Sequence, residues 1–320
     1  MRPLGVRTGF HTLDRWLYNA GVRARPPRAD VVVGVDLDGF LWARRRGSAP
    51  GAVAQPYIVA LKGIIADELR NERGVVRALL AVQARWERRN VGRADRVVVP
   101  SRYSASVARA LYDVPTTKLA VVPEPIDLAE WRRRFARVER PPRRPPTVLA
   151  VARMYPRKRL GDLLRAAALL RARIPGVRVR IVGGGPEARA LMRLHGELDL
   201  GDTVTFLGEI ARQALAVEYV CADCFCLPSV QEGFGIAYAE AMAAGLPVVA
   251  CRAAAVPEIV EDGRTGLLVG PRDPEELAMG IERLLRDEGL RATLGAEASR
   301  RVEAFDLAPV AAKFVEACRA

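Results

Sequence analysis

Short apolar runs rich in β-branched residues alternate with longer stretches of helical periodicity along most of the chain. VVVGVD (31–36), YIVAL (57–61), RVVVPS (96–101) and LAVVP (119–123) precede residue 130; TVLAVAR (147–153), VRIVGGG (179–185), VTFLG (204–208), CFCLPS (224–229) and PVVAC (247–251) follow it. Strands that are apolar throughout are buried on both faces. Their alternation with helices predicts parallel sheets covered by helices, an α/β fold. Between the two sets lies WRRRFARVERPPRRPPT (131–147), charged and proline-rich, which reads as a linker. The expected organisation is a first domain over 1–130, a linker over 131–146 and a second domain over 147–320.

The densest chemistry lies in SVQEGFGIAYAEAMAAGLPVVA (229–250). The Ala-rich stretch Ile236 to Ala244 holds no Gly or Pro and predicts a short helix; Gly245 sits where a helix C-cap is expected, before the next strand. Glu232 then stands in a glycine loop at the helix entrance and Glu240 inside the helix. Such a loop offers free N–H groups and the positive end of a helix dipole to an anion. Upstream, Arg153, Arg157 and Lys158 follow strand TVLAVAR, and Gly183, Gly184 and Gly185 end strand VRIVGGG ahead of another helical stretch. Open α/β sheets bind ligands at the carboxyl ends of their strands. Cations, glycine loops and two carboxylates converging there suit a nucleoside diphosphate joined to a sugar, with cations for phosphates and carboxylates for hydroxyls.

Half of the 320 residues are hydrophobic, enough for two separate cores. No window approaches eighteen uninterrupted apolar residues, and MRPLGVRTGF lacks the apolar centre of a signal peptide, so the expectation is a soluble cytoplasmic protein, with contact at the cytoplasmic membrane face in view. The net charge of +13 is uneven: residues 1–146 hold 28 Lys+Arg against 14 Asp+Glu, and residues 147–320 hold 22 against 23. An Arg-rich first half is either a solvated surface or an attraction to an anionic membrane or acidic acceptor. No recognition motif accompanies it, which argues against nucleic acid. The five cysteines read as reduced packing residues. Cys221 and Cys224 form a C-x-x-C, but zinc would need a second pair of ligands, and the histidines are His11 and His195.

The second half resembles the donor-binding domain of retaining glycosyltransferases of the GT-B fold, specifically glycosyltransferase family 4 (glycosyl transferases group 1). The resemblance runs through VARMYPRKRLGDLL, VRIVGGGPE, VTFLGEI, CFCLPSVQEGFGIAYAEAMAAGLPVVA and AVPEIVEDGRTGLLV, and Glu-x7-Glu within it is its most specific element. It implies two Rossmann-like, doubly wound parallel-sheet domains facing a cleft. It also implies that Arg153 and Lys158 bind the donor diphosphate and that Glu232 lies beside the sugar. Gly184, Gly233, Phe234 and Gly235 would line the donor, the last three through backbone amides, and Glu240 would hold the ribose hydroxyls. Neither metal nor other cofactor is expected.

In the first half, ADRVVVPSRYSASVARALYDVPTTKLAVVPEPIDL (94–128) fits the family less completely. Where many relatives carry Asn-Gly, this chain has Glu124-Pro125. Where many carry a histidine that contacts the donor sugar, it has Lys62-Gly63, making Lys62 a candidate substitute. MRPLGVRTGFHTLDRWLYNAG offers no apolar opening strand, so the expectation is an incomplete N-terminal sheet whose exposed edge invites a protein partner or self-association. DLDG (36–39) reads as a strand-end turn; a metal-binding D-x-D and the nucleophile motif of haloacid-dehalogenase-type phosphatases are the rival readings.

The activity implied is transfer of a hexosyl group from a nucleoside diphosphate sugar to an acceptor hydroxyl, with retention, in glycan, polysaccharide or glycolipid synthesis. One alternative is a non-catalytic donor-binding remnant that needs a partner. Another is a sugar-nucleotide epimerase or glycosyl phosphorylase on the same fold.

Overall fold

The computed structural model describes residues 11–24, 29–43, 55–142 and 144–319. The chain divides into two compact units, one drawn from Met1–Pro123 with Ala311–Ala320 and the other from Glu124–Val310.

The first unit holds strands β1 (Val32–Val35), β2 (Tyr57–Ala60), β3 (Arg96–Val99) and β4 (Leu119–Val121), all parallel and in sequential order. Around them run α1 (His11–Ala24), α2 (Phe40–Ala43), α3 (Ile65–Glu68), α4 (Gly74–Arg93) and α5 (Arg102–Tyr112). The apolar runs become the core: Tyr57, Val59, Val97 and Val99 are fully buried. Helix α5 starts where the Ser101 hydroxyl accepts the Ser104 N–H at 3.0 Å, an N-cap that the Ser in VVVPS supplies. Among the described residues β1 and β4 are the sheet edges, and Val33 and Val35 of β1 are exposed. The expectation of a missing opening strand falls on residues 1–21: residues 1–10 lie outside the described residues, and residues 11–21 belong to helix α1.

Asp36 to Gly39 form a turn at the end of β1, with Asp36 at φ +54° and Gly39 at φ +80°. The Asp36 carboxylate accepts the Lys62 N–H at 2.8 Å, and the Asp38 carbonyl accepts the Tyr57 hydroxyl at 2.8 Å. DLDG therefore ties the ends of β1 and β2 together.

The second unit holds β5 (Thr147–Val151), β6 (Arg178–Val182), β7 (Val204–Gly208), β8 (Cys224–Leu227), β9 (Val248–Cys251) and β10 (Gly266–Val269), parallel in the order β10-β9-β8-β5-β6-β7. Its helices are α6 (Leu128–Phe135), α7 (Leu160–Arg173), α8 (Ala188–Glu197), α9 (Arg212–Cys221), α10 (Ile236–Ala243), α11 (Val256–Ile259), α12 (Pro274–Arg286) and α13 (Glu288–Arg301), and α14 (Leu307–Arg319) ends the chain. Leu163, Leu164 and Leu170 of α7 and Ile281 and Leu284 of α12 pack fully buried with Val148, Leu149 and Phe225 of the sheet. Each such side chain contributes about 1.5–3 kcal/mol by leaving water. Cys224, Cys226 and Cys251 belong to this core, and the five cysteines are free.

The nine expected strands form within three residues of the expected ends. Strand β10, from GLLV, is an addition: four residues behind a tight turn carry too little periodicity to declare a strand. The charged stretch after residue 130 starts inside α6, whose Leu128 and Trp131 are buried in the second unit's core.

Candidate active site

Strand order in the second sheet reverses between β5 and β8. From β5 the chain winds outward to β6 and β7, then returns to the other side for β8, β9 and β10. The loops leaving β5 and β8 part to opposite sides there, opening a crevice at the strands' carboxyl ends. Both loops carry candidate residues.

After β5, Pro156 to Lys158 make one 3-10 turn, and Arg159 at φ +53° starts α7. After β8, the loop runs to Gly235, the N-cap of α10. The two loops are joined by the Val230 N–H donating to the Arg157 carbonyl at 3.0 Å. Across this seam Lys158 Nζ donates to Glu232 Oε1 at 2.5 Å, and an Arg157 guanidinium nitrogen lies 3.5 Å from Glu232 Oε2. Arg157 also donates to the Gln231 carbonyl at 3.3 Å. The side chains of Lys158 and Glu232 are 12% and 5% exposed, so water screens the pair little. Two cations against one carboxylate leave this seam net positive. Gln231 Oε1 is buried beside it without a hydrogen-bond partner.

Arg153 stands on the same strand end but apart from this pair. Its side chain is 65% exposed, with Glu209 at 3.9 Å and the Tyr155 ring 5.9 Å below its guanidinium. Arg157, stacked at 5.6 Å on the same ring, is the cation that joins Lys158 at Glu232.

The glycine loop after β6 needs its glycines at particular places. A Cβ on Gly183 would fall 2.1 Å from the Ala152 carbonyl oxygen, and one on Gly185 2.7 Å from the Met154 nitrogen; both residues have positive φ. Gly184 has room, and its carbonyl accepts the Met154 N–H at 2.8 Å. This loop is thus stitched to the loop that carries the cations. In the loop after β8, Gly235 at φ +104° would place a Cβ 2.5 Å from the Tyr238 ring. Phe234 is buried edge-on against Phe305, with ring centroids 5.1 Å apart, so its side chain anchors the loop. Gly233 lies between Glu232 and this anchor.

Glu240 sits in the second turn of α10. Its Oε2 accepts the Tyr219 hydroxyl at 2.8 Å. Burial raises its pKa, opposed by that hydrogen bond and by the charge of Arg212. Sequence reasoning passed over Tyr219, because a tyrosine on a helix ahead of a buried strand reads as core. Lys62 belongs to the first unit, where it is exposed and held through its N–H by Asp36.

A cavity of about 580 Å³ lies at the opposite, amino ends of β8 and β9, lined by Arg140, Arg144, Asp223, Pro247 and Arg291. Its guanidiniums are already engaged: Arg140 and Arg144 on Asp223, Arg291 on the carbonyls of Leu284 and Leu285. It fastens the proline-rich segment to the second unit, far from the convergent loops.

Residues 132–301, more than half of the chain, match the model of the family described as glycosyl transferases group 1, and residues 10–130 match that of glycosyltransferase family 4. The chain belongs to the glycosyl transferases group 1 family. Among curated members, it is 36% identical over 181 residues to the GDP-mannose-dependent alpha-(1-6)-phosphatidylinositol monomannoside mannosyltransferase of Mycobacterium tuberculosis, covering 54% of this chain and 46% of that protein. It is 36% identical over 232 residues to the D-inositol 3-phosphate glycosyltransferase of Saccharomonospora viridis, covering 68% of this chain and 54% of that protein. The chain thus spans about half the length of these relatives. The solved sucrose-phosphate synthase of Thermosynechococcus elongatus superposes with a TM-score of 0.78 at 26% identity, covering 98% of this chain and 79% of that one. The α/β fold, with two parallel sheets of four and six strands among the described residues, is that of the GT-B class.

Proposed function

We propose that this chain is a retaining glycosyltransferase that moves a hexosyl group from a nucleoside diphosphate sugar to a hydroxyl of a phosphate-bearing inositol or inositol lipid. The observation that carries the reading is the buried Lys158–Glu232 pair at the switch point of the second sheet, with Arg157 beside it. In this reading Arg153, Arg157 and Lys158 take the donor diphosphate, Glu232 takes the sugar hydroxyls and Glu240 takes the ribose. The amides of Gly233, Phe234 and Gly235 lie along the sugar, and Gly184 lets the phosphates approach the backbone. As the anomeric carbon parts from the phosphate oxygen, negative charge gathers on the leaving diphosphate. Fixed cations and the N-terminus of α10 stabilise that charge without reorganising. The acceptor oxygen bonds to the anomeric carbon from the face the diphosphate leaves, and its proton passes to the departing phosphate. Glu232 orients the sugar and forms no covalent bond to it.

The acceptor class rests on two supports. Both curated relatives are named for inositol-containing acceptors, and the Arg-rich first half attracts anions. Contact with an anionic membrane is supported by α4, where Val75, Leu79 and Val82 are exposed at helical spacing, with Arg85 and Arg89 also exposed on that helix. No helix among the described residues is long and apolar enough to cross a membrane. Free cysteines support a reducing, cytoplasmic compartment.

The test incubates the purified chain with GDP-mannose, UDP-glucose or UDP-N-acetylglucosamine and either inositol phosphate or phosphatidylinositol vesicles. A new α-glycosidic bond, lost in Lys158→Ala, is expected. Isomerised donor would make the chain an epimerase, and released sugar phosphate a phosphorylase. Donor binding without transfer would make it a binding subunit.

A further inference from the structure

We propose that Tyr219 is the positioning residue for the nucleoside end of the donor: its phenol fixes Glu240 through Oε2 and leaves Oε1 to the ribose hydroxyls. This rests on the reading of Glu240 as the ribose ligand.

Tyr219 is fully buried on α9. Its ring meets Trp131 edge-on at 5.6 Å, Phe135 at 6.3 Å and Phe225 at 6.2 Å, so three aromatic neighbours fix the direction of its hydroxyl. That hydroxyl donates to Glu240 Oε2 at 2.8 Å, and among the described residues no donor reaches Oε1. A carboxylate held by one oxygen has one rotamer and one acceptor free, which suits a vicinal diol better than a freely rotating side chain would. Two of the three ring neighbours come from α6, so the helix at the start of the arginine-rich stretch supports the donor site from behind.

The bond also sets the charge. Burial pushes the Glu240 pKa up; the Tyr219 hydrogen bond and the Arg212 charge, both from α9, pull it down. Among the described residues, the other elements packed on α10, namely α6, α13, the Val302–Phe305 turn, β8 and β9, add no charged group to those acting on this carboxyl. Removing the hydroxyl leaves only Arg212 to oppose burial, so the pKa of Glu240 rises in Tyr219→Phe. Binding that needs the carboxylate then weakens as pH falls and recovers as pH rises.

Calorimetry with GDP and UDP and their 2′- and 3′-deoxy forms, from pH 6 to 9, tests this on the wild type, Tyr219→Phe, Glu240→Gln and Glu240→Ala, each first checked for an unchanged melting temperature. The wild type is expected to prefer ribo over deoxy nucleotide. Tyr219→Phe should lose about tenfold in affinity for the ribo form alone, more at pH 6 than at pH 9. Equal loss for ribo and deoxy forms, or no loss, with the preference abolished in Glu240→Ala would overturn the role of Tyr219 and leave Glu240 in place. A preference that survives Glu240→Ala, or is absent from the wild type, would overturn both.

Discussion

Replacing Lys158 by Met tests whether the Lys158–Glu232 pair organises the site. Met keeps the stem and removes the ammonium, leaving a carboxylate on a side chain only 5% exposed, with one guanidinium nitrogen 3.5 Å away. Breaking a buried pair by removing one partner costs about 3–5 kcal/mol. Arg157 retains part of the neutralisation, which puts the cost near the bottom of that range, about 3 kcal/mol. For a unit of this size that is a fall in melting temperature of roughly 6–12 °C. Lys158→Met with Glu232→Gln should recover most of it, because no uncompensated charge remains. A double-mutant cycle read by thermal and urea unfolding should give a coupling of about 2–3 kcal/mol. Turnover, once a donor is found, should fall about 10²–10³-fold in the single variant and not return in the double one. Stability restored without activity would separate the structural from the chemical work of the lysine. A coupling below about 0.5 kcal/mol would refute the argument, since it would place the pair in a well-screened environment.

Gly235→Ala should destabilise by at least about 2 kcal/mol, from the left-handed backbone and the displaced Tyr238 ring, and should weaken nucleotide binding; a melting curve matching the wild type would contradict the positive φ. In the first unit, Glu87 is fully buried, hydrogen-bonded to the Tyr112 hydroxyl and the Ile65 N–H, and burial pushes its pKa up to about 8. Its folded pKa exceeds its unfolded one, so stability is greatest below the unfolded value and falls as pH rises towards 8, by on the order of 4–5 kcal/mol in all. Glu87→Gln should flatten that slope in urea unfolding from pH 5 to 8.5, and a slope equal to the wild type's would place its source elsewhere.

The fold was legible because its strands are apolar throughout and its helices are not, a contrast that survives in single runs such as VVVP or CFCL. The candidate site, as a cluster of residue types, was legible at the strand ends, its pairing less so. Four cations follow β5, and only the 3-10 turn at Pro156 decides that Arg157 and Lys158 reach Glu232 while Arg153 stays in solvent and Arg159 pairs with Asp162. The glycines followed the same rule: GGG announces a tight loop, yet the steric demand falls on Gly183 and Gly185. Tyr219 stayed hidden because a buried phenol and a core tyrosine look alike until the carboxylate it meets, 21 positions later, is seen beside it. Trp131 and Leu128 were masked by the arginines around them, although their spacing already lies on one helical face.

Lys158 and Glu232 lie 74 positions apart, on opposite sides of the reversal in strand order. Between them the chain must build β6, β7 and their helices and then cross back over β5. During synthesis Arg157 and Lys158 emerge well before Glu232, which follows β8. A fragment ending before β8 would carry the cations proposed to bind phosphate and none of the loop that bears Glu232. Under the proposed function, nucleotide binding would report completed assembly of this unit, and a nucleotide in the medium should pull the last docking step forward.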